Sequence, residues 1–309
     1  MKTRIVSVKN PAVLLFLFVF LFCSNLPAVP PFADIVFTGN LSAVPSKTEL
    51  TYIAHNNTYG VWVLGGNTFA SPGKKADSFE QQKKLFAEHN KKFFHSFAVH
   101  MPMLAVLGKN DFEAGLHYAV SSLRHLRPAY VFVLDYIGAR NNENPYLLRY
   151  IDLLVNGKTL RFIGLGAWEK LSPSGRDILY RKPTPAILKE IGDYLKERKK
   201  VDFTILITCQ KLKYDKELAA DPLCAKIFDL ILSNDPAAPL YTEEKNSVPI
   251  AGGGKNGEEM RKIFLNPVTG SVAGPPIQVW RAEKYHPKTT KSTTTKKVNI
   301  AKKQEKKKK

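Results

Sequence analysis

The pattern that most restricts this chain is an alternation of short apolar runs with amphipathic helical stretches, interrupted once by an Asn-Gly turn. Apolar runs of strand length occur at residues 35–38, 61–64, 103–107, 130–134, 203–208, 229–232 and 248–251. Two more, 153–155 and 160–164, flank Asn156-Gly157, a dipeptide that favours the positive φ angles of a two-residue hairpin turn. Helical patterns fit 78–97, 113–126, 185–199 and 215–226. In the third of these, Ile187, Leu188, Ile191 and Leu195 recur at 3.6-residue spacing, and Pro185 suits a first helical turn. Strands separated by helices, with one hairpin among them, predict a layered α/β domain. In such domains chemistry gathers in the loops that follow strand C-termini.

Both ends of the chain fall outside that pattern. Lys2, Arg4 and Lys9 precede a twelve-residue apolar run from Ala12 to Cys23, followed by Ser24, Asn25 and Pro27. The run is short for a bilayer span, so residues 1–28 read as an export signal, with cleavage anywhere from 24 to 33. The alternatives are an uncleaved anchor, or lipidation at Cys23, which the bulky Phe22 before it opposes. Export would take the protein to the periplasm, the envelope or the medium. Only Cys209 and Cys224 would then remain, in a compartment that permits a disulfide. Three cysteines are too few for a disulfide scaffold or a thiolate zinc site.

Of the formal charge of +19, about +10 sits in residues 284–309, which hold eleven Lys and one acid, and about +3 in the first 23 residues. The body between is near +6 and only mildly basic, which argues against a general nucleic-acid-binding domain. With 44% apolar residues it can bury a sizeable core. The tail has no apolar periodicity and is expected to be disordered. It is either a solvated end or a polycation for an anionic membrane, a cell-wall polymer or another polyanion.

The loops after the first three strands carry a resemblance. They are Thr38 to Ala43, Gly66-Asn67-Thr68-Phe69, and Gly108-Lys109-Asn110-Asp111-Phe112-Glu113. Downstream, Asn156-Gly157-Lys158 leads into Phe162-Ile163-Gly164-Leu165, Val201 to Leu206 is followed by Leu218-Ala219, and Asp229 to Leu232 by Pro249 to Gly257. In order and spacing these resemble the calcineurin-like metallophosphoesterases, in particular the exported 5′-nucleotidase and UDP-sugar hydrolase family. The resemblance covers residues 34 to 267 and implies a layered α-β-β-α sandwich, here a domain spanning 34–283. It also implies two divalent ions that hold a phosphate and generate a metal-bound hydroxide. About 40 residues follow Pro267, so the family's second, nucleoside-gripping domain is expected to be missing.

At the family's ligand positions the residues differ. Its Asp-x-His after the first strand is Asn40 and Ser42 here, and its bridging Asp is Asn67. The Gly-Asn-His-Glu loop is Gly108-Lys109-Asn110-Asp111, which puts Lys109 in place of an amide ligand and Asn110 in place of the catalytic histidine. The later histidine is Cys209, and Gly-His-x-His is Asn234-Asp235-Pro236-Ala237. Each loss of a carboxylate or gain of an ammonium about 4 Å from a cation costs roughly 4 kcal/mol at an effective dielectric near 20. Several together exclude tight two-metal binding, so no cofactor and no catalytic residue is expected.

Three functions follow as expectations. The first is a non-catalytic exported module that binds an unknown ligand or protein. The second is a residual metal-dependent phosphoesterase of 5′-nucleotidase type, with Asn40, Asn67, Asn110, Asp111 and Asp235 as oxygen ligands for a divalent metal. The third is an envelope-attached protein that works through its Lys tail. The seven histidines do not restore a metal site: His89, His95, His117 and His125 lie in helical stretches, His286 is in the tail, and His55 and His100 have no second ligand at metal spacing. Ala251-Gly252-Gly253-Gly254-Lys255 lacks the spacing of a phosphate-binding loop and reads as a flexible turn. A nucleophile-elbow Gly-x-Ser-x-Gly is absent from the sequence.

Overall fold

A computed structural model of the chain describes residues 33–39, 47–55, 60–66, 68–69, 77–96, 102–108, 111, 114–126, 131–140, 146–166, 185–239, 241–242, 244–253, 259–266, 271–272 and 277–281. The proposed signal (1–28) and the tail (284–309) lie outside them. The first half runs β1 (Ala33–Thr38), α1 (Lys47–His55), β2 (Val61–Leu64), α2 (Phe79–Ser96), β3 (Met103–Ala105), α3 (Leu116–Leu126), β4 (Val131–Leu134), α4 (Tyr136–Arg140) and β5 (Leu147–Leu148). Then come β6 (Tyr150–Val155), β7 (Lys158–Leu165), α5 (Pro185–Lys196), β8 (Phe203–Thr208), α6 (Leu212–Ala219) and β9 (Leu230–Ser233). The last strands are β10 (Tyr241–Thr242), β11 (Ile250–Gly252), β12 (Glu259–Asn266), β13 (Ser271–Val272) and β14 (Ile277–Arg281).

These strands form two sheets. One has the order β13-β12-β1-β2-β3-β4-β5, with β14 beside β12, and the other β10-β11-β9-β8-β7-β6. Strands β1 to β5 run parallel, as do β7, β8, β9 and β11, so their C-terminal ends gather on common edges. Parallel strands buried on both faces read as continuous apolar runs, and β8 (FTILIT) is buried at every position. Between the sheets Phe37, Val63 and Leu104 meet Phe162, Ile205 and Leu232. The outer face of the first sheet packs with Phe86, Phe93 and Leu123 of α2 and α3, and that of the second with Tyr136, Leu188, Ile191 and Leu218 of α4, α5 and α6. The layering is therefore α-β-β-α.

Each fully buried Leu, Ile or Phe contributes about 1.5–3 kcal/mol, whereas an exposed ion pair such as Lys196–Asp193 is screened by water and salt and contributes little. The apolar layers therefore decide the fold. The hairpin forms where expected: Val155 pairs with Lys158, and Asn156 and Gly157 take φ of 52° and 76°.

Two expectations needed correction. The helix read as 215–226 runs from Leu212 to Ala219, because Pro222 cannot continue it and the Asp221 carboxylate instead accepts the Leu223 N–H at 2.8 Å. A single 3₁₀ turn follows at Cys224–Lys226. Strand β12, antiparallel to β1, was not expected, because Glu259, Arg261 and Lys262 break its apolar pattern. All three charges are paired in the fold: Arg261 with Glu259, and Lys262 with Asp34 at 2.6 Å. Cys209 and Cys224 are free thiols. Among the described residues no helix is long and apolar enough to cross a membrane.

Candidate functional site

The C-terminal edges of both sheets meet at one pole, and the backbone there comes very close. Gly39, after β1, donates its N–H to Gly253 O, after β11, at 3.3 Å. Gly65 N–H reaches Thr38 O at 2.8 Å, and Asn234 N–H reaches Thr208 O at 3.1 Å. A Cβ at Gly253 would stand 2.5 Å from Gly39 Cα, and one at Gly66 would stand 2.7 Å from Cys209 Sγ. The glycine run near 252 is thus more than a flexible turn. It lets the ends of the two sheets touch.

Cys209 and Asn234 fill what space remains. Gly66 donates its N–H to Cys209 Sγ at 3.1 Å, and the thiol points to Val106 O at 3.6 Å. Burial pushes that thiol far above its ordinary range, and the charges of Asp111, Asp215 and Asp135 push the same way against the Gly66 N–H. It is therefore a neutral thiol rather than a thiolate ligand. The Asn234 carboxamide donates to Gly66 O at 3.0 Å. Its Oδ1 is buried without a hydrogen-bond partner and would lie 3.0 Å from a Cβ at Gly39.

Three aspartates surround this junction. Asp111 is fully buried, and its two oxygens accept the Phe69 N–H at 3.0 Å and the Gly108 N–H at 2.8 Å, which ties the loop after β2 to the loop after β3. Asp235 accepts the Leu212 N–H and the Ala237 N–H, both at 2.7 Å, and so caps α6 from another loop. Asp215, in the first turn of α6, is fully buried and accepts the Gln210 amide at 2.7 Å and the Ser233 hydroxyl at 2.5 Å. Burial raises its pKa to about 7, against the hydrogen bonds from Ser233 and Gln210, and the Asp235 charge raises it further.

Of the positions singled out in the sequence, Asp111, Cys209, Asp235 and Ala237 are described, and Asn40, Ser42, Asn67, Lys109 and Asn110 lie outside the described residues. Asp111, Cys209 and Asp235 do come together at the strand ends, whereas Ala237 is exposed on the following turn. A pair of divalent cations needs hard oxygens free to coordinate. Here both carboxylates are occupied by backbone amides and the thiol is neutral. Among the described residues no three His, Cys, Asp or Glu side chains come together as a metal would need. The described residues do not fit the two-ion centre.

Of the histidines, His55 is exposed, His89 lies 3.2 Å from Thr68 O and braces α2 on the loop after β2, and His100 is outside the described residues. Sequence reasoning missed Asn234, Asp215, Gln210 and Ser233 as parts of this pole. For Asn234 a signal was present, since the pattern that the sequence resembles has a glycine at that position. Asp215 carried none, because an acid in a first helical turn reads as solvent-facing.

No protein-family model matches the chain, and no curated protein matches it. Solved structures do. A 5′-nucleotidase precursor from Thermus thermophilus has a TM-score of 0.57 at 13% identity, over 87% of this chain and 58% of that one. Sulfate thiohydrolase SoxB, also from Thermus thermophilus, has a TM-score of 0.54 at 15% identity, over 76% and 42%. Haemophilus influenzae NAD nucleotidase has a TM-score of 0.52 at 14% identity, over 80% and 55%. The chain thus spans about half the length of these proteins, and identities this low carry the fold alone. The fold is the two-sheet sandwich of the calcineurin-like phosphoesterases.

Proposed function

We propose that this chain is a phosphoesterase-fold binding or structural module that does not hydrolyse phosphate esters through metal ions. The observation that carries this is the occupation of Asp111 and Asp235 by four backbone N–H groups, with the Asn234 carboxamide filling the junction between them. A pole whose Asp111 and Asp235 oxygens are taken by backbone N–H groups, and whose cysteine is a neutral thiol, offers a divalent pair few oxygens to coordinate. Asn40, Ser42, Asn67, Lys109, Asn110, Cys209, Asp235 and Ala237 are then vestiges of the family's metal site. The protein is exported by residues 1–28, its domain spans 34–283, and its partner is a ligand or protein. The Lys-rich residues 284–309 add attachment to anionic surfaces.

The other reading is residual hydrolysis of 5′-nucleotidase type with substituted ligands, and the likeness to a 5′-nucleotidase precursor favours it. The full chain, purified without chelator and supplied with Mg²⁺, Mn²⁺ or Zn²⁺, separates the two. The expectation is no hydrolysis of p-nitrophenyl phosphate, AMP or UDP-glucose above background. A metal-dependent rate that disappears in a folded Asp235→Ala variant overturns the proposal.

A further inference from the structure

The pole opposite the strand ends, where α5 stops and β8 and β9 begin, holds a hollow of about 480 Å³. Six cationic side chains line it: Arg161, Lys196, Arg198, Lys199, Lys200 and Lys226. Its two carboxylates are already engaged. Asp202 accepts the Thr159 N–H at 2.8 Å and meets Lys158 at 3.5 Å, and Asp229 accepts the Thr204 N–H at 2.7 Å.

Three of the cations are also accounted for. Arg161 grips Asp152 with two bonds of 2.7 Å and reaches Lys199 O at 3.1 Å. Lys196 pairs outward with Asp193, and Arg198 lies 4.5 Å from the centre of the Tyr194 ring. The other three are not. Among the described residues no carboxylate lies within ion-pair distance of Lys199, Lys200 or Lys226. Like charges gathered in a concave wall repel one another, and an anion with several charges relieves that cost at each of them.

The volume lies in the range of small-molecule sites, and a concavity fits a compact anion better than it fits a flat membrane. We infer that this hollow binds a compact anion of linked phosphates, separately from the strand-end pole and from the Lys-rich tail. Recognition rests on Lys199, Lys200 and Lys226 as point charges, while Arg161, already paired with Asp152, fixes the wall that carries Lys199.

Lysine acetylation footprinting of the full chain, read by mass spectrometry, tests this with inorganic triphosphate as the probe. Triphosphate should protect Lys199, Lys200 and Lys226 at concentrations at least tenfold below those that protect the exposed Lys84 and Lys91 of α2 or the lysines of 302–309. The double variant Lys199→Glu, Lys226→Glu should lose the protection of Lys200 while keeping its thermal transition. Equal protection of all these lysines overturns the inference, because the attraction would then be diffuse. Protection of the three by anionic phospholipid vesicles but not by triphosphate overturns it in favour of a membrane face. If the double variant does not fold, the footprint of the unaltered chain still decides.

Discussion

Two buried aspartates close the strand-end pole from opposite sheets, and they are held by different chemistry. Asp111, on the first-sheet side, is bound by two backbone N–H groups. Asp215, on the second-sheet side, is bound by the side chains of Ser233 and Gln210. Any residue but proline can supply a backbone N–H, so the Asp111 clamp depends on loop geometry and tolerates other changes around it. The Asp215 cluster depends on three side chains and on the protonation of one of them. One side of the pole is thus fixed by the backbone, and the other side responds to pH.

The largest expected effect comes from removing the backbone-bound carboxylate. In Asp111→Ala the N–H groups of Phe69 and Gly108, both in the interior, lose their acceptor. Buried donors left unpaired cost about 1–3 kcal/mol each, so a loss of roughly 3–5 kcal/mol is expected in guanidinium unfolding. A loss below about 1 kcal/mol would mean that the carboxylate faces the cleft, and the contrast between the two sides would collapse.

The second effect depends on pH. Asp215 has a folded pKa of about 7 against an ordinary value of 3.8. Between those values the folded chain binds more protons than the unfolded one, so this group makes stability fall as pH rises from about 4 to 7, and the loss is complete above 7. That difference corresponds to about 4 kcal/mol at most. Asp215→Asn cannot titrate, so between pH 4.5 and 7.5 its unfolding free energy should improve relative to the unaltered chain by about 3 kcal/mol. A difference that stays constant with pH would show that Asp215 does not titrate in this range, and both sides of the pole would then be equally insensitive.

The sequence made the layers easier to read than the pole. Continuous apolar runs announced β2, β4 and β8, and Asn156-Gly157 announced the β6–β7 hairpin, because burial on both faces and positive φ restrict residue choice strongly. Strand β12 was hidden, since its charges are satisfied only by pairing that is distant in sequence, as with Lys262 and Asp34. The cap of α6 was hidden for the same reason: Lys211 gives no side-chain cap, and the acceptor, Asp235, arrives from beyond β9. At the pole itself the sequence placed Asp111, Cys209 and Asp235 after strand ends, where they stand. That Asp111 and Asp235 had been turned to backbone amides was not legible, because a one-dimensional pattern shows which residues reach a place but not which donors they meet there.

The smallest expected effect is at Asp235, between the two sides. Its oxygens hold the Leu212 and Ala237 N–H groups, but the residue is only half-buried and Ala237 is exposed, so water can take over part of this role. Asp235→Ala should therefore cost about 1 kcal/mol, the usual loss of a helix cap. The variant also bears on Asp215, whose pKa the Asp235 charge raises. Without that charge Asp215 ionises more easily in the folded chain, and its pKa moves down toward the unfolded value. The stability lost between pH 4 and 7 should shrink accordingly, by less than the cap costs, because burial and not the charge of Asp235 is the main cause of the raised Asp215 pKa. Unfolding curves of Asp235→Ala and of Asp235→Ala with Asp215→Asn, at both pH values, isolate that coupling. If the pH dependence is as large without Asp235 as with it, the two aspartates act independently, and only side-chain burial sets the response of the second-sheet side.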